Sequence, residues 1–243
     1  MRLQQKSLVC SGSVLLAVIA VALAGCGGFN KVAATPTHTA KPSAKTILAS
    51  AVVVQQKQIK DVEFSMKLNL TADSTTVNGA MTGTETASPN RTDLVISNFT
   101  TAGEQFSGEI KVDSATNTTY IMLTGSSILG LPTGEWIKTT WGSLLNPLPI
   151  NPTQFSNLSQ LSGVTLIGSE TLNGIAVWHL QATKVVDGST AKVDVYIRKD
   201  NSQLYEIVAN LSGTSSGTIT FNITGVNTGA TINLPPASQV INQ

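Results

Sequence analysis

The chain has 243 residues and a formal net charge of +1, and only 12% of its residues are charged. Affinity for nucleic acid requires clustered Lys and Arg, which this composition does not supply; Thr, Ser, Asn and Gln carry the polarity, as on many exported proteins. The length suits one sizeable domain or two small ones.

Arg2 and Lys6 precede an apolar run, Val14 to Leu23, of about ten residues, the length of a signal-peptide core. Spanning a bilayer takes about 20. Leu23-Ala24-Gly25-Cys26 follows and resembles a bacterial lipobox, with small residues at the cut and a cysteine that receives a diacylglyceryl thioether. Residues 1–25 are therefore an expected signal peptide and Cys26 the lipidation site and new N-terminus. Cys10 leaves with the signal segment, so the mature chain holds one thiol, already used, and forms no internal disulfide. Cleavage removes two basic residues and changes the charge from +1 to −1. Each buried acyl methylene contributes about 0.8 kcal/mol, so two or three chains anchor stably. The expected place is the extracytoplasmic face of the cell membrane, lipid-anchored.

Residues 26–44, rich in Ala, Thr and Pro, lack the large apolar side chains needed to fold alone and read as a tether. Residues 45–243 then read as a single domain. Helical spacing first appears at Ile47, Leu48, Ala51, Val52, Gln55 and Ile59, one buried stripe with Ser43 as N-cap. The period then becomes two: Val62, Phe64, Met66, Leu68 and Leu70 oppose Glu63, Ser65, Lys67 and Asn69, a strand with one wet face. The same alternation recurs around Phe106, Ile110 and Val112; Trp178, Leu180 and Ala182; Val193, Val195 and Ile197; and Ile219, Phe221 and Ile223. Asn173-Gly174, Asp187-Gly188 and Lys199 to Ser202 are hairpin turns, which require antiparallel neighbours.

Between the two strand groups, residues 126–163 contain four prolines, and Pro152 to Leu161 suits a short helix closed by Gly163. The pattern predicts an α+β domain: an antiparallel sheet of roughly eight to eleven strands whose apolar face curls on itself or is capped in part by two or three short helices. A cavity between sheet and helices is the expected consequence.

The order of these segments is similar to the mycobacterial LppX/LprA/LprF/LprG lipoprotein family: lipobox, Thr/Pro/Ala tether, ILASAVVVQQ then DVEFSMKLNLT, the pair TNTTYIMLT and GEWIKT, a Leu/Pro-rich stretch with NPTQFSNL, and the late strands through TGATINLPPAS. The resemblance covers nearly all of residues 44–237. It implies a LolA-like half-barrel, a curved antiparallel sheet with a few helices on its concave face, that holds acyl chains of glycolipids or phospholipids for transport across the envelope. Implied partners are an acylated lipid, the membrane through the N-terminal anchor, and a membrane transporter. ILGLP at 128–132 departs from the pattern, so the family's mycobacterial lipids need not be ligands here.

A dry surface of aliphatic, Met and Phe side chains suits acyl chains, since burial contributes about 25 cal/mol per Å² without directional contacts. Phe64, Met66, Phe106, Ile110, Met122, Trp178, Ile207 and Phe221 are the candidate lining, each with ordinary core packing as its competing reading. Residues for catalysis are not apparent. His38 lies in the tether and His179 on a wet strand face, and neither follows a nucleophile elbow. Carboxylates are scattered singly rather than grouped with His and Cys for a metal, and no phosphate-loop pattern occurs. The sequence thus predicts a non-enzymatic protein without cofactor, metal or nucleic-acid partner; a structural cell-surface lipoprotein of the same fold with a filled core is the alternative.

Overall fold

The computed structural model describes residues 41–72, 75–101, 104–125, 132–140, 163–186 and 189–242. The signal segment, Cys26, most of the tether, residues 128–131, the expected helix at 152–161 and the Asp187-Gly188 turn lie outside the described residues.

Ser43 has extended backbone and its Oγ accepts the Thr46 N–H at 3.1 Å, which starts helix α1 (Ala44–Gln58) as the sequence predicts. Ile47, Leu48 and Ala51 bury the stripe, joined by Val54, while Val53 faces solvent. Ile59 is beyond the helix, because the backbone turns extended there to enter the sheet.

Twelve strands follow among the described residues. The first group is β1 (Asp61–Ala72), β2 (Thr75–Ala87), β3 (Asn90–Thr101), β4 (Glu104–Asp113), β5 (Thr118–Gly125) and β6 (Trp136–Thr140). The second is β7 (Thr165–Leu172), β8 (Ile175–Val186), β9 (Ser189–Arg198), β10 (Leu204–Gly213) and β11 (Ser215–Val226), with a short β12 (Val240–Asn242) at the end. They form one sheet in the order β12-β6-β5-β4-β3-β2-β1-β11-β10-β9-β8-β7. Each group is a meander, and β1 joins them by pairing antiparallel with β11 from Val62↔Val226 to Ala72↔Ser215. The sheet is open, with β12 and β7 at its edges.

One expectation needs correction. The count exceeds the predicted range, because the chain end adds β12, which carries too few residues for an alternation signal. This strand pairs parallel with β6, since the segment leaving β11 crosses to the far edge before it aligns. Among the described residues α1 is the one α-helix, accompanied by a 3₁₀ turn at Ala237–Gln239; the further helix expected at 152–161 lies outside them. No helix among them is long and apolar enough to cross a membrane.

The turn chemistry agrees with the sequence: Asn173 and Gly174 take φ of 50° and 80°, the left-handed pair of a type I′ hairpin between β7 and β8. Glycine on β2 serves packing instead. Gly83 lies opposite Phe64, and a Cβ there would fall 2.2 Å from the Phe64 ring; at Gly79 it would fall 2.3 Å from the Phe99 ring. The two rings rest on bare backbone.

After β11 the chain forms a strap over residues 227–239. The Asp61 carboxylate holds its start, accepting from Thr228 N–H at 2.7 Å, Thr228 Oγ1 at 3.0 Å and Gly229 N–H at 3.2 Å. Arg91 Nη1 donates to the Ile232 carbonyl at 3.0 Å further along. Burial opposes the charge on Asp61, but these bonds prevail and hold its pKa below the ordinary value.

Gly83→Val is expected to destabilise the fold by about 1–3 kcal/mol through displacement of the Phe64 ring, measured by urea unfolding. Asp61→Asn should loosen the strap at a cost of about 1–3 kcal/mol. Because the folded pKa is lowered, the contribution of Asp61 is present above the unfolded carboxylate value and lost as pH falls through the folded one. The stability difference between wild type and Asp61→Asn should therefore shrink on acidification, as read from melts between pH 7 and pH 3.

Candidate functional site

Cross-strand partners share a face, so the register can be read as rows across the sheet. One row runs Leu166, Leu180, Val195, Ile207, Phe221, Met66, Met81, Ile96, Gly108, Leu123 over ten consecutive strands from β7 to β5. Toward the Asp61 end, the next row is Ile223, Phe64, Gly83, Leu94, Ile110, Ile121, Ile137. On the other side lie Ala182, Val193, Ala209, Ile219 and Leu68. Ile47, Leu48 and Ala51 of α1 belong to the same apolar cluster.

Seven of the eight predicted lining residues stand on this face. Phe64 and Met66 are 1% exposed, and Ile110 and Phe221 2%, with the Phe64 and Phe221 rings stacked at 5.1 Å. Exposure that low means other side chains already occupy their surroundings. Phe106, Trp178 and Ile207 are different: with Leu166, Ile223 and Val77 they pack against the cluster while staying partly exposed. Met122 does not belong. It pairs with Glu109 and so projects from the opposite face, because Ile121 and Leu123 on either side of it take the apolar one.

The face has a polar margin that alternation in the sequence did not reveal. At the Asp61 end a third row runs Val226, Val62, Glu85, Thr92, Val112, Thr119. Burial pushes the Glu85 carboxyl up to about 7. Thr119 is 1% exposed and its Oγ1 has no hydrogen-bond partner, and the same holds for the buried Oε1 of Gln55 on α1. The signal for Glu85 was period two from Val77 and Met81, obscured because Gly79 and Gly83 fill the positions between. At the β9 end of this margin, Lys199 Nζ sits 4.2 Å from the centre of the Trp178 ring and donates to Ser169 Oγ at 3.0 Å.

The opposite face is charged. Lys111 is paired with Asp93 and Glu109; burial works against its charge, yet the two carboxylates hold its pKa above the ordinary value. His179 falls on this face as expected but is not free in solvent. Its Nδ1 faces Glu170, its Nε2 lies 2.8 Å from Asp194, and its ring stacks on Tyr196 at 4.7 Å. Gln181 Nε2 donates to the same Asp194 oxygen at 2.6 Å. These contacts orient an imidazole without bringing it to a Ser or Cys nucleophile. Among the described residues no group of three or more His, Cys, Asp and Glu could hold a metal ion.

No family model matches the chain, and no curated protein matches it. Among solved structures it is similar to the lipoprotein LppX of Mycobacterium tuberculosis, at 19% identity and a TM-score of 0.48 over 79% of this chain and 100% of that one. It is also similar to a chain of the Pseudomonas aeruginosa MucA/MucB complex, at 14% identity and 0.39 over 81% of this chain and 59% of that one. A LolA superfamily protein of Nitrosomonas europaea follows, at 12% identity and 0.30 over 80% and 96%. LppX and a LolA superfamily protein, the two likenesses named from the sequence, are both among these structures.

Proposed function

We propose that this protein is a membrane-anchored lipoprotein whose apolar sheet face binds the acyl chains of a glycolipid or phospholipid for transfer through the cell envelope. Residues 1–25 are its signal peptide, Cys26 its anchor, residues 26–44 a tether and 45–243 the lipid-binding domain.

The observation that carries this reading is the continuous apolar row over ten strands together with its uneven burial. At about 4.8 Å between strands the row is roughly 45 Å wide, while α1, at about 1.5 Å per residue, is roughly 22 Å long and one helix broad. Trp178, Ile207, Leu166 and Ile223 on one half, and Phe106 and Val77 toward the far end of β2 and β4, keep apolar surface for a guest chain. Phe64, Met66, Ile110 and Phe221 form the floor beneath it. Their near-complete burial is also what the alternative, a structural lipoprotein with a filled core, requires.

Chain purified from host membranes is expected to release about one acyl lipid per protein into organic solvent, quantified by mass spectrometry; lipid-free protein would favour the filled-core alternative. Ile207→Trp should lower lipid uptake several-fold with little change in melting temperature, whereas Met66→Trp should overpack the floor and cost about 1–3 kcal/mol of stability. Equal behaviour of the two variants would remove the distinction between lining and floor. Cys26→Ala should leave the protein unprocessed or outside the membrane fraction, and unchanged lipid labelling would refute Cys26 as the anchor.

A further inference from the structure

Glu85, Thr119 and Gln55 are polar groups at one end of a surface that otherwise suits hydrocarbon. Glu85 projects from β2 among uncharged neighbours, Val62 and Val226 on one side and Thr92, Val112 and Thr119 on the other. Among the described residues it has no hydrogen-bond donor, and burial is the one influence on its carboxyl. The charged residues of the flanking strands, Asp61 and Glu63 on β1 and Arg91 and Asp93 on β3, alternate onto the opposite face. The nearby cations, Lys57 on α1 and Lys60 just before β1, are both exposed.

Gln55 belongs to the same end. One turn on from it, the Gln58 carbonyl accepts from Asn227 Nδ2 at 2.9 Å, while Lys60 N–H donates to Asn227 Oδ1 at 2.7 Å. The Lys60 carbonyl accepts from the N–H of Ala87 at 2.8 Å, two residues beyond Glu85. With about 1.5 Å per helical residue and about 3.3 Å per strand residue, Gln55 and Glu85 each lie within roughly 7 Å of this junction. Thr119 is three strands along the same row, about 14 Å from Glu85 at the usual strand spacing. A carboxylate and an amide oxygen only accept hydrogen bonds, and the buried Thr119 hydroxyl has no partner. Thr119 Oγ1 and Gln55 Oε1 are fully buried without partners, which is costly, and the part-buried Glu85 adds an acceptor to the same margin, so a guest that brings donors is favoured here. A phosphate diester brings only acceptors and negative charge.

We propose that this margin receives the uncharged, hydroxyl-bearing head of an acyl lipid, and that Glu85 is the specificity-determining residue that turns away lipids with a phosphate at that position. The inference rests on the carrier reading above and adds to it the headgroup class and the residue that selects it. Below the Glu85 pKa the carboxyl is neutral and its repulsion of phosphate is lost; above it the carboxylate both repels phosphate and accepts from a hydroxyl.

The test offers delipidated full-length chain in detergent an equal mixture of dioleoylglycerol and dioleoylphosphatidylmethanol, a diester whose charge is constant between pH 6 and pH 8, and bound lipid is counted by mass spectrometry. Wild type is expected to prefer dioleoylglycerol by about tenfold at pH 8, the worth of one hydrogen bond to a charged acceptor, and to lose much of that preference at pH 6. In Glu85→Gln the preference should be small and independent of pH. Thr119→Val should lower dioleoylglycerol uptake without lowering the melting temperature, because an unpaired hydroxyl gives way to a methyl. A preference that survives Glu85→Gln with its pH dependence intact, or equal uptake of both lipids by wild type, overturns this inference and leaves the carrier reading standing. Uptake of neither lipid overturns both.

Discussion

The pairing of β1 with β11 is the constraint on which the rest of the architecture depends. It joins residues more than 140 positions apart, Val62 with Val226 and Ala72 with Ser215, and so fuses two separate meanders into one sheet. Register matters here more than pairing. A slip of one residue would turn Phe64, Met66, Leu68 and Leu70 to the charged face and break the apolar row at its middle. The correct register sets Met66 between Phe221 and Met81 and continues the row to both sides.

That division of faces gives each surface its own chemistry. The charged face is held by local pairings, Lys111 with Asp93 and Glu109, and His179 between Glu170 and Asp194, and it is crossed by the strap that Asp61 and Arg91 retain. Ion pairs of partial exposure contribute little stability each; their role is to give this face no attraction for hydrocarbon. The apolar face is built by exclusion, with rings laid on glycine at Gly83 and Gly79 and a single helix stripe seated among the strands. Within one apolar row the side chains then differ by burial alone. Met66 and Ile207 are equally apolar and belong to one row, yet Met66 is enclosed and Ile207 is not.

Much of this was legible in the residues. Alternation assigned the inward set of β1, β4, β8, β9 and β11 correctly, Ser43 announced the helix, and Asn173-Gly174 announced its hairpin, because each of these is a property of a few neighbouring residues. Met122 departs from the expected face because apolar character does not fix direction: in TTYIMLTG Ile121, Met122 and Leu123 are consecutive, and only two of the three can share a face. Glu85 was missed for the converse reason, its strand being punctuated by glycines that erase the alternation.

The sequence by itself determined the strand periods and the kinds of side chain available for an apolar surface, since both are encoded within a span of a few residues. Tertiary structure alone decided the sheet order, the parallel β12 edge, the uneven burial along one apolar row and the polar margin of Gln55, Glu85 and Thr119. Those features exist only where strands distant in the chain come level with one another, and local backbone periodicity carries no information about which strand a given one will meet.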